Sequence, residues 1–309
     1  MSSHPDLLRR VALRSLTWLD EHRDGFRLPD DVIDAGNHNT TLKPVGELAR
    51  LGVSIRRANR PGSRAYDLAD GLLDFAWRQT RAGDVLFTLS RAQPQATYPL
   101  EIYASFAAAG LRHPEFEDLT RFLSATRAWQ ALELEPTREL AVLGAQRLLG
   151  LAPRPNDVER TMRRTWLGTR PEPWMFEVRS GYALTHYVFH VTDWGEVPER
   201  LPDDIRAYLD LWLPAWLDCC LDEEQWDLSG ELLAVAASLP EPASLPDAWQ
   251  RLAPAQEPSG ALPEVGHPPG TDQDPFLYRY HSTLVLAFAA SLAAARLGTE
   301  DAAESEDIA

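Results

Sequence analysis

The sequence predicts an all-α fold. Three observations carry that expectation: apolar residues recur at three-to-four spacing along most of the chain, strand-like alternation is nearly absent, and several segments open with a capping side chain and a proline. About twelve helical segments follow, near 5–22, 41–58, 66–81, 98–110, 115–130, 136–149, 156–168, 180–194, 203–221, 223–238, 244–254 and 275–297. Thr41 and Pro44 introduce the second, Thr97 and Pro99 the fourth, and Asp274-Pro275 the last.

The segments differ in kind. Odd-numbered ones, such as HPDLLRRVALRSLTWLDEHR, are amphipathic surface helices with a polar face. Even-numbered ones set polar residues near their starts and continue as apolar, small-residue bodies. Alternation of exposed and buried helices is what an α/α toroid requires, a double-walled helical barrel whose inner helices would open at one mouth. A solenoid of helix pairs is the alternative. Residues 1–298 are expected to form one helical domain, and the acidic stretch 299–309 a disordered tail. The long connections 23–40 and 255–274, rich in Gly, Pro and Asp, read as lids, binding loops or disordered segments.

Composition narrows the function. In 309 residues with a formal net charge of −16 there is no basic stripe for nucleic acid and no basic cluster beside an apolar helix for a membrane surface. The longest apolar run, Thr283–Ala295, reads as a buried helix. The two cysteines, Cys219 and Cys220, are adjacent and make no disulfide framework, so a reducing cytoplasm is expected. Lys43 is the sole lysine beside 29 arginines, and a compact ammonium differs chemically from a guanidinium.

The segment SGYALTHYVFHVTDWG concentrates the chemistry. His186, His190 and Asp193 share one face of an otherwise apolar helix, a spacing by which imidazoles can grip a transition metal. The same residues also suit a structural role, with His186 on a backbone carbonyl, His190 half-exposed and Asp193 ending the helix before Gly195, or an acid–base role without metal. Asp227 and Glu231 lie one turn apart on a helix with an apolar body, with Gly230 between them, and His281 opens the last buried helix. Together His186, His190, Asp193 and His281 are expected metal ligands, for zinc or non-haem iron, and His186, Asp227, Glu231 and His281 the catalytic set. Lys43, Glu47, Tyr98 and Glu101, with Tyr103, are expected to line the mouth and orient substrate.

Tyr280-His281-Ser282-Thr283-Leu284, running into a small-residue helix, resembles the YHT-type segment of protein prenyltransferase β subunits, a family that shares the α/α toroid with terpene cyclases. That resemblance implies a zinc held by Asp218, Cys220 and His281, although the internal repeats and the basic diphosphate-binding set of the family are missing. Around His186 and Asp227 the chain is also similar to an uncharacterised actinobacterial family found beside biosynthetic genes. The expected function is therefore a metal-dependent enzyme of specialised, natural-product metabolism, acting on a small-molecule or peptide substrate, with a biosynthetic enzyme as a further partner. The alternative is a non-catalytic helical scaffold or binding protein for such an enzyme or a carrier peptide.

Overall fold

The computed structural model of the protein describes residues 4–33, 40–151, 155–267 and 274–306. Among these residues there are fourteen α-helices and no strand. They are α1 (His4–Glu21), α2 (Leu42–Ala58), α3 (Arg64–Gln79), α4 (Asp84–Ala92), α5 (Tyr98–Ala108), α6 (Pro114–Ser124), α7 (Arg127–Gln130), α8 (Pro136–Leu148), α9 (Pro155–Arg164), α10 (Val178–Thr192), α11 (Asp203–Asp222), α12 (Trp226–Ala237), α13 (Pro246–Leu252) and α14 (Tyr280–Glu306).

Helix starts follow local chemistry. Ser63 accepts from Tyr66 N at the head of α3, Thr126 from Trp129 N at α7, and the His113 imidazole from Phe116 N at α6. The expected caps Thr41 and Thr97 make no side-chain cap hydrogen bond, so at α2 and α5 the prolines in the first turn are the start signal that holds. The segment expected over 115–130 is two helices, divided where Thr126 caps α7. Helix α4 lies where no helix was expected. It begins at Gly83, whose φ of 99° lets the chain turn sharply out of α3. The last helix starts at Tyr280 rather than 275, because Asp274 accepts from Phe276 N (2.8 Å) and closes a turn over 275–279. At its far end α14 runs to Glu306, through most of the stretch read as a tail; residues 307–309 lie outside the described residues.

Six helices touch in a closed cycle: α2 packs on α5, α5 on α8, α8 on α10, α10 on α12, α12 on α14, and α14 on α2. These are the even-numbered segments of the sequence. The other helices pack onto these, with α1 against α14 and α3, α3 against α2, α4 against α5, α9 against α8, and α11 against α12. Position in the cycle explains composition. Every residue of α12 from Asp227 to Ala237 is buried, so both of its carboxylates are withdrawn from bulk solvent. The window Tyr280–Gly298 of α14 is long and apolar enough to cross a membrane, yet 78% of it is buried in the fold, as in a core helix.

The connection 255–267 is tied down. Gln256 is buried and its amide donates to Val11 O, Ser15 Oγ and Gly260 O, joining this stretch to α1. Thr283 Oγ1 accepts from Leu262 N, and Ser282 Oγ donates to Leu262 O. Glu264 O accepts from Asp227 N at 3.0 Å. One connection therefore sets the starts of both α12 and α14, the two helices that carry Asp227, Glu231 and His281. Of the expected lids, residues 34–39 and 268–273 lie outside the described residues.

Candidate functional site: a carboxylate–imidazole cluster at the wall of a central cavity

Asp227 and Glu231 occupy successive turns of α12, where side chains four apart share a face. Gly230 sits between them, and a Cβ there would come within 3.2 Å of Val285 Cγ1. That absent side chain lets α14 lie close and brings His281 beside both carboxylates. His281 Nδ1 is 2.8 Å from Asp227 Oδ1. Its other nitrogen, Nε2, faces Glu231 Oε1 and Glu47 Oε1, each 3.8 Å away and so beyond hydrogen-bond reach. His186 Nε2 lies 3.9 Å from Glu231 Oε1.

A hydroxyl holds the far oxygen of each carboxylate. Tyr182 donates to Asp227 Oδ2 (2.6 Å), Thr185 to Glu231 Oε2, and Tyr280 to Glu47 Oε2 (2.9 Å). Tyr182 and Thr185 precede His186 on α10, so one helix supplies two anchors and a ring. The near oxygens of Glu47 and Glu231 are left facing inward. Among the described residues, the one group of three or more His, Cys, Asp or Glu whose ligand atoms all lie within 4.8 Å of one another is Asp227, Glu231 and His281.

Charge is distributed unevenly in the cluster. Burial opposes the charged form of His281, but Asp227, Glu47 and Glu231 outweigh it and raise the imidazole to about 10. Burial likewise opposes Asp227, but His281, the Tyr182 hydroxyl and Lys43 hold its carboxyl below the usual range. Glu231 is pushed up to about 8, first by burial and then by Asp227. His186 is pushed down to about 4 by burial and by the nearby His281 charge. In the metal-free protein at neutral pH, the centre thus holds an Asp227–His281 ion pair, a protonated Glu231 and a neutral His186.

These groups adjoin a cavity of about 550 Å³. The expected substrate residues Lys43, Glu47, Tyr98 and Glu101 all line it. Lys43 Nζ stands 3.7 Å from Glu47 Oε1 at the exposed rim, and the Tyr98 hydroxyl donates to Gln93 Oε1. Glu101 is enclosed, its pKa raised by burial, and it pairs with Arg138 at 2.8 Å. Tyr103 belongs elsewhere: fully buried, it donates to Glu117 and accepts from His113 N.

The expected triad of His186, His190 and Asp193 does not converge. The two rings meet edge to face with centroids 5.9 Å apart, and Asp193 leaves the helix at φ 51° to meet Arg50 (3.5 Å) and Arg57 (3.9 Å). The helix end overrides the three-residue spacing, because a left-handed residue no longer follows the helical face. The ligand set implied by the prenyltransferase resemblance is not assembled either. Asp218 pairs with Arg251 (3.0 Å), and the Cys220 thiol is pushed up to about 12 by burial, the wrong direction for a thiolate ligand.

Sequence reasoning missed Tyr182, Thr185 and three cavity-lining arginines, Arg50, Arg138 and Arg147. Arg50 carried a legible signal, since it interrupts the apolar body of a buried helix in VGELARLGVSI.

No curated protein and no solved structure matches the chain. Residues 12–291, which span every element of the site, match the model of the family described as a domain of unknown function (DUF6895), and the chain belongs to that family.

Proposed function

We propose that this protein is an enzyme that binds a divalent metal, zinc or iron, through Asp227, Glu231 and His281 and transforms a small molecule held in the adjoining cavity. The carrying observation is the mutual approach, within 4.8 Å, of two buried carboxylates and an imidazole. Modest side-chain rotations bring such atoms to the roughly 2.0–2.2 Å of a metal bond. Hydroxyls on the far oxygens of both carboxylates support the reading, since metal ligands are characteristically oriented by a second ring of hydrogen bonds. A bound cation would also neutralise acidic groups that burial otherwise penalises. His186, uncharged and open to the cavity, is the base of this scheme, and the metal would act as Lewis acid on a substrate oxygen. The closed helix cycle is read as an α/α toroid with the reaction centre in its inner ring.

A second reading, a metal-free acid–base centre, is favoured by the 2.8 Å contact between His281 and Asp227, with protonated Glu231 as acid and His186 as base. Adjacent cysteines of which one is a buried thiol fit a reducing compartment, and we assign the protein to the cytoplasm.

Metal analysis decides between the readings. Near-stoichiometric zinc or iron, lost in a Glu231→Gln/His281→Ala variant that keeps its helical circular dichroism, supports the metalloenzyme. A protein that takes up neither metal and whose melting ignores both overturns it in favour of the acid–base centre.

A further inference from the structure

The cavity has a second charged region away from the cluster. One turn of α10, about 6 Å of rise, separates His186 from His190, and the charges of Arg50, Arg138 and Arg147, which all line the cavity, bear on His190. Two of the three guanidinium charges are spent. Arg138 is 2.8 Å from Glu101 Oε1, and Arg50 is 3.5 Å from Asp193 and lies over the Trp194 ring at 5.5 Å. Arg147 differs. It donates to the backbone carbonyl of His190 at 3.4 Å and pairs with no carboxylate among the described residues. Arg50 adds an unused donor, since its Nε is buried without a hydrogen-bond partner. A half-buried guanidinium is a poor structural choice unless an anion meets it, because its desolvation is otherwise uncompensated.

We propose that Arg147, with Arg50 and Arg138 beside it, is the binding subsite for an anionic group, a carboxylate or phosphate monoester, on the molecule that reaches the His281 cluster. The proposal rests on the reading of that cluster as the reaction centre and names its substrate class: a small acid whose charged end sits about one helical turn from the reacting end. Planar forks of N–H donors suit both anions. The chain is strongly acidic overall, with a net charge of −16, so general attraction for anions is absent and selectivity must come from this local wall. Burial, and then the Arg200 charge, depress the Arg147 pKa against the opposing charge of Asp193, and a bound anion would add to that opposition. The turn Asp193-Trp194-Gly195, with φ values of 51°, 59° and 80°, directs Asp193 into ion pairs with Arg50 and Arg57, while Arg147 forms no ion pair with it.

Calorimetric titration with benzoate, phenyl phosphate and neutral benzamide tests this on the full chain after chelation. The expected result is saturable binding of one or both anions, no binding of benzamide, and a loss of about tenfold to a hundredfold in affinity in Arg147→Gln. The tighter of the two anions identifies the group. Should Arg147→Gln not fold, Arg147→Lys and a salt series on the native chain take its place, with affinity falling in both. Benzamide binding as tightly as benzoate, an unchanged Arg147 variant, or no anion binding at all overturns the proposal. Metal uptake separates the two ideas: a native protein that binds the anion but takes up neither zinc nor iron leaves the subsite standing and overturns only the metal-bound reading of the cluster.

Discussion

His281 Nδ1 and Asp227 Oδ1 meet at 2.8 Å across the contact between α14 and α12, and each explains the other's charge. Asp227 stands in the first turn of its helix, where backbone N–H groups favour a negative charge. His281 is held at about 10 chiefly by that carboxylate, against burial. In Asp227→Asn the imidazole loses its strongest partner while Glu47 and Glu231 still raise it against burial, so its pKa falls from about 10 toward the ordinary value. Breaking one side of a buried pair costs about 3–5 kcal/mol. Urea unfolding and an NMR titration of the His281 ring check both halves. Tyr182→Phe, which removes only one hydrogen bond to Asp227, is expected to cost less, about 1–3 kcal/mol.

Alkaline pH should destabilise the metal-free protein, with a slope that Glu231 sets in part. His281 is raised from 6.5 to about 10, so its contribution is whole below 6.5 and is lost as pH rises through 10. Glu231 is raised from 4.5 to about 8, so the folded state again holds the extra proton, and stability falls as pH rises from 4.5 to 8. His186, lowered to about 4, works in the opposite sense, adding stability as pH rises from 4 to 6.5. Between pH 6.5 and 8 the folded state therefore holds two more protons than the unfolded one, and each lowers stability by about 1.4 kcal/mol per unit rise in pH. Glu231→Gln should roughly halve the slope in that window and, by withdrawing one of the carboxylates that raise His281, end the upper limb below pH 10. Denaturant titrations at half-unit pH steps, on chelated protein, measure it.

How far the site could be read beforehand depends on which interaction fixed each residue. Asp227 and Glu231 were legible because helical spacing alone places them together, and the apolar body of WDLSGELLAVAAS announces their burial. His281 was legible for the same reason. Asp193 misled because its φ of 51° depends on the turn that follows, and spacing on an ideal helix does not contain that turn. Tyr182 and Thr185 act through a neighbouring helix, and nothing local distinguishes their hydroxyls from other polar residues. Helix α4 escaped because nine residues after a left-handed glycine offer too few turns to establish a period. The six helices that touch in a cycle, in contrast, were legible as the segments with apolar, small-residue bodies.

Gly195 closes α10 at φ 80°, and a Cβ there would come within 2.7 Å of Leu292 Cδ2 and 3.0 Å of Ser238 Oγ. Gly195→Ala should therefore cost about 1–3 kcal/mol through backbone strain and crowding together. The Trp194 ring, stacked on Phe189 with centroids 4.7 Å apart, would shift with the turn. A lower melting temperature accompanied by a changed near-ultraviolet dichroism is the expected outcome. A lower melting temperature with an unchanged aromatic signal would mean that the turn does not position Trp194.

Gly144 offers the opposite trade. It lies within α8, lines the cavity, and a Cβ there would meet nothing nearer than His190 O at 3.8 Å. Glycine inside a helix costs about 0.8–1.0 kcal/mol relative to alanine, and this one has neither a positive φ nor a close neighbour to require it. Space for a ligand is the remaining reason for it. Gly144→Ala should then raise stability by up to about 1 kcal/mol while weakening anion binding beside Arg147, one turn of α8 away in the direction of the chain. Thermal melting and the benzoate titration read the two effects on the same preparation. A variant that is both more stable and an equally good binder would show that the cavity does not receive its ligand along this wall.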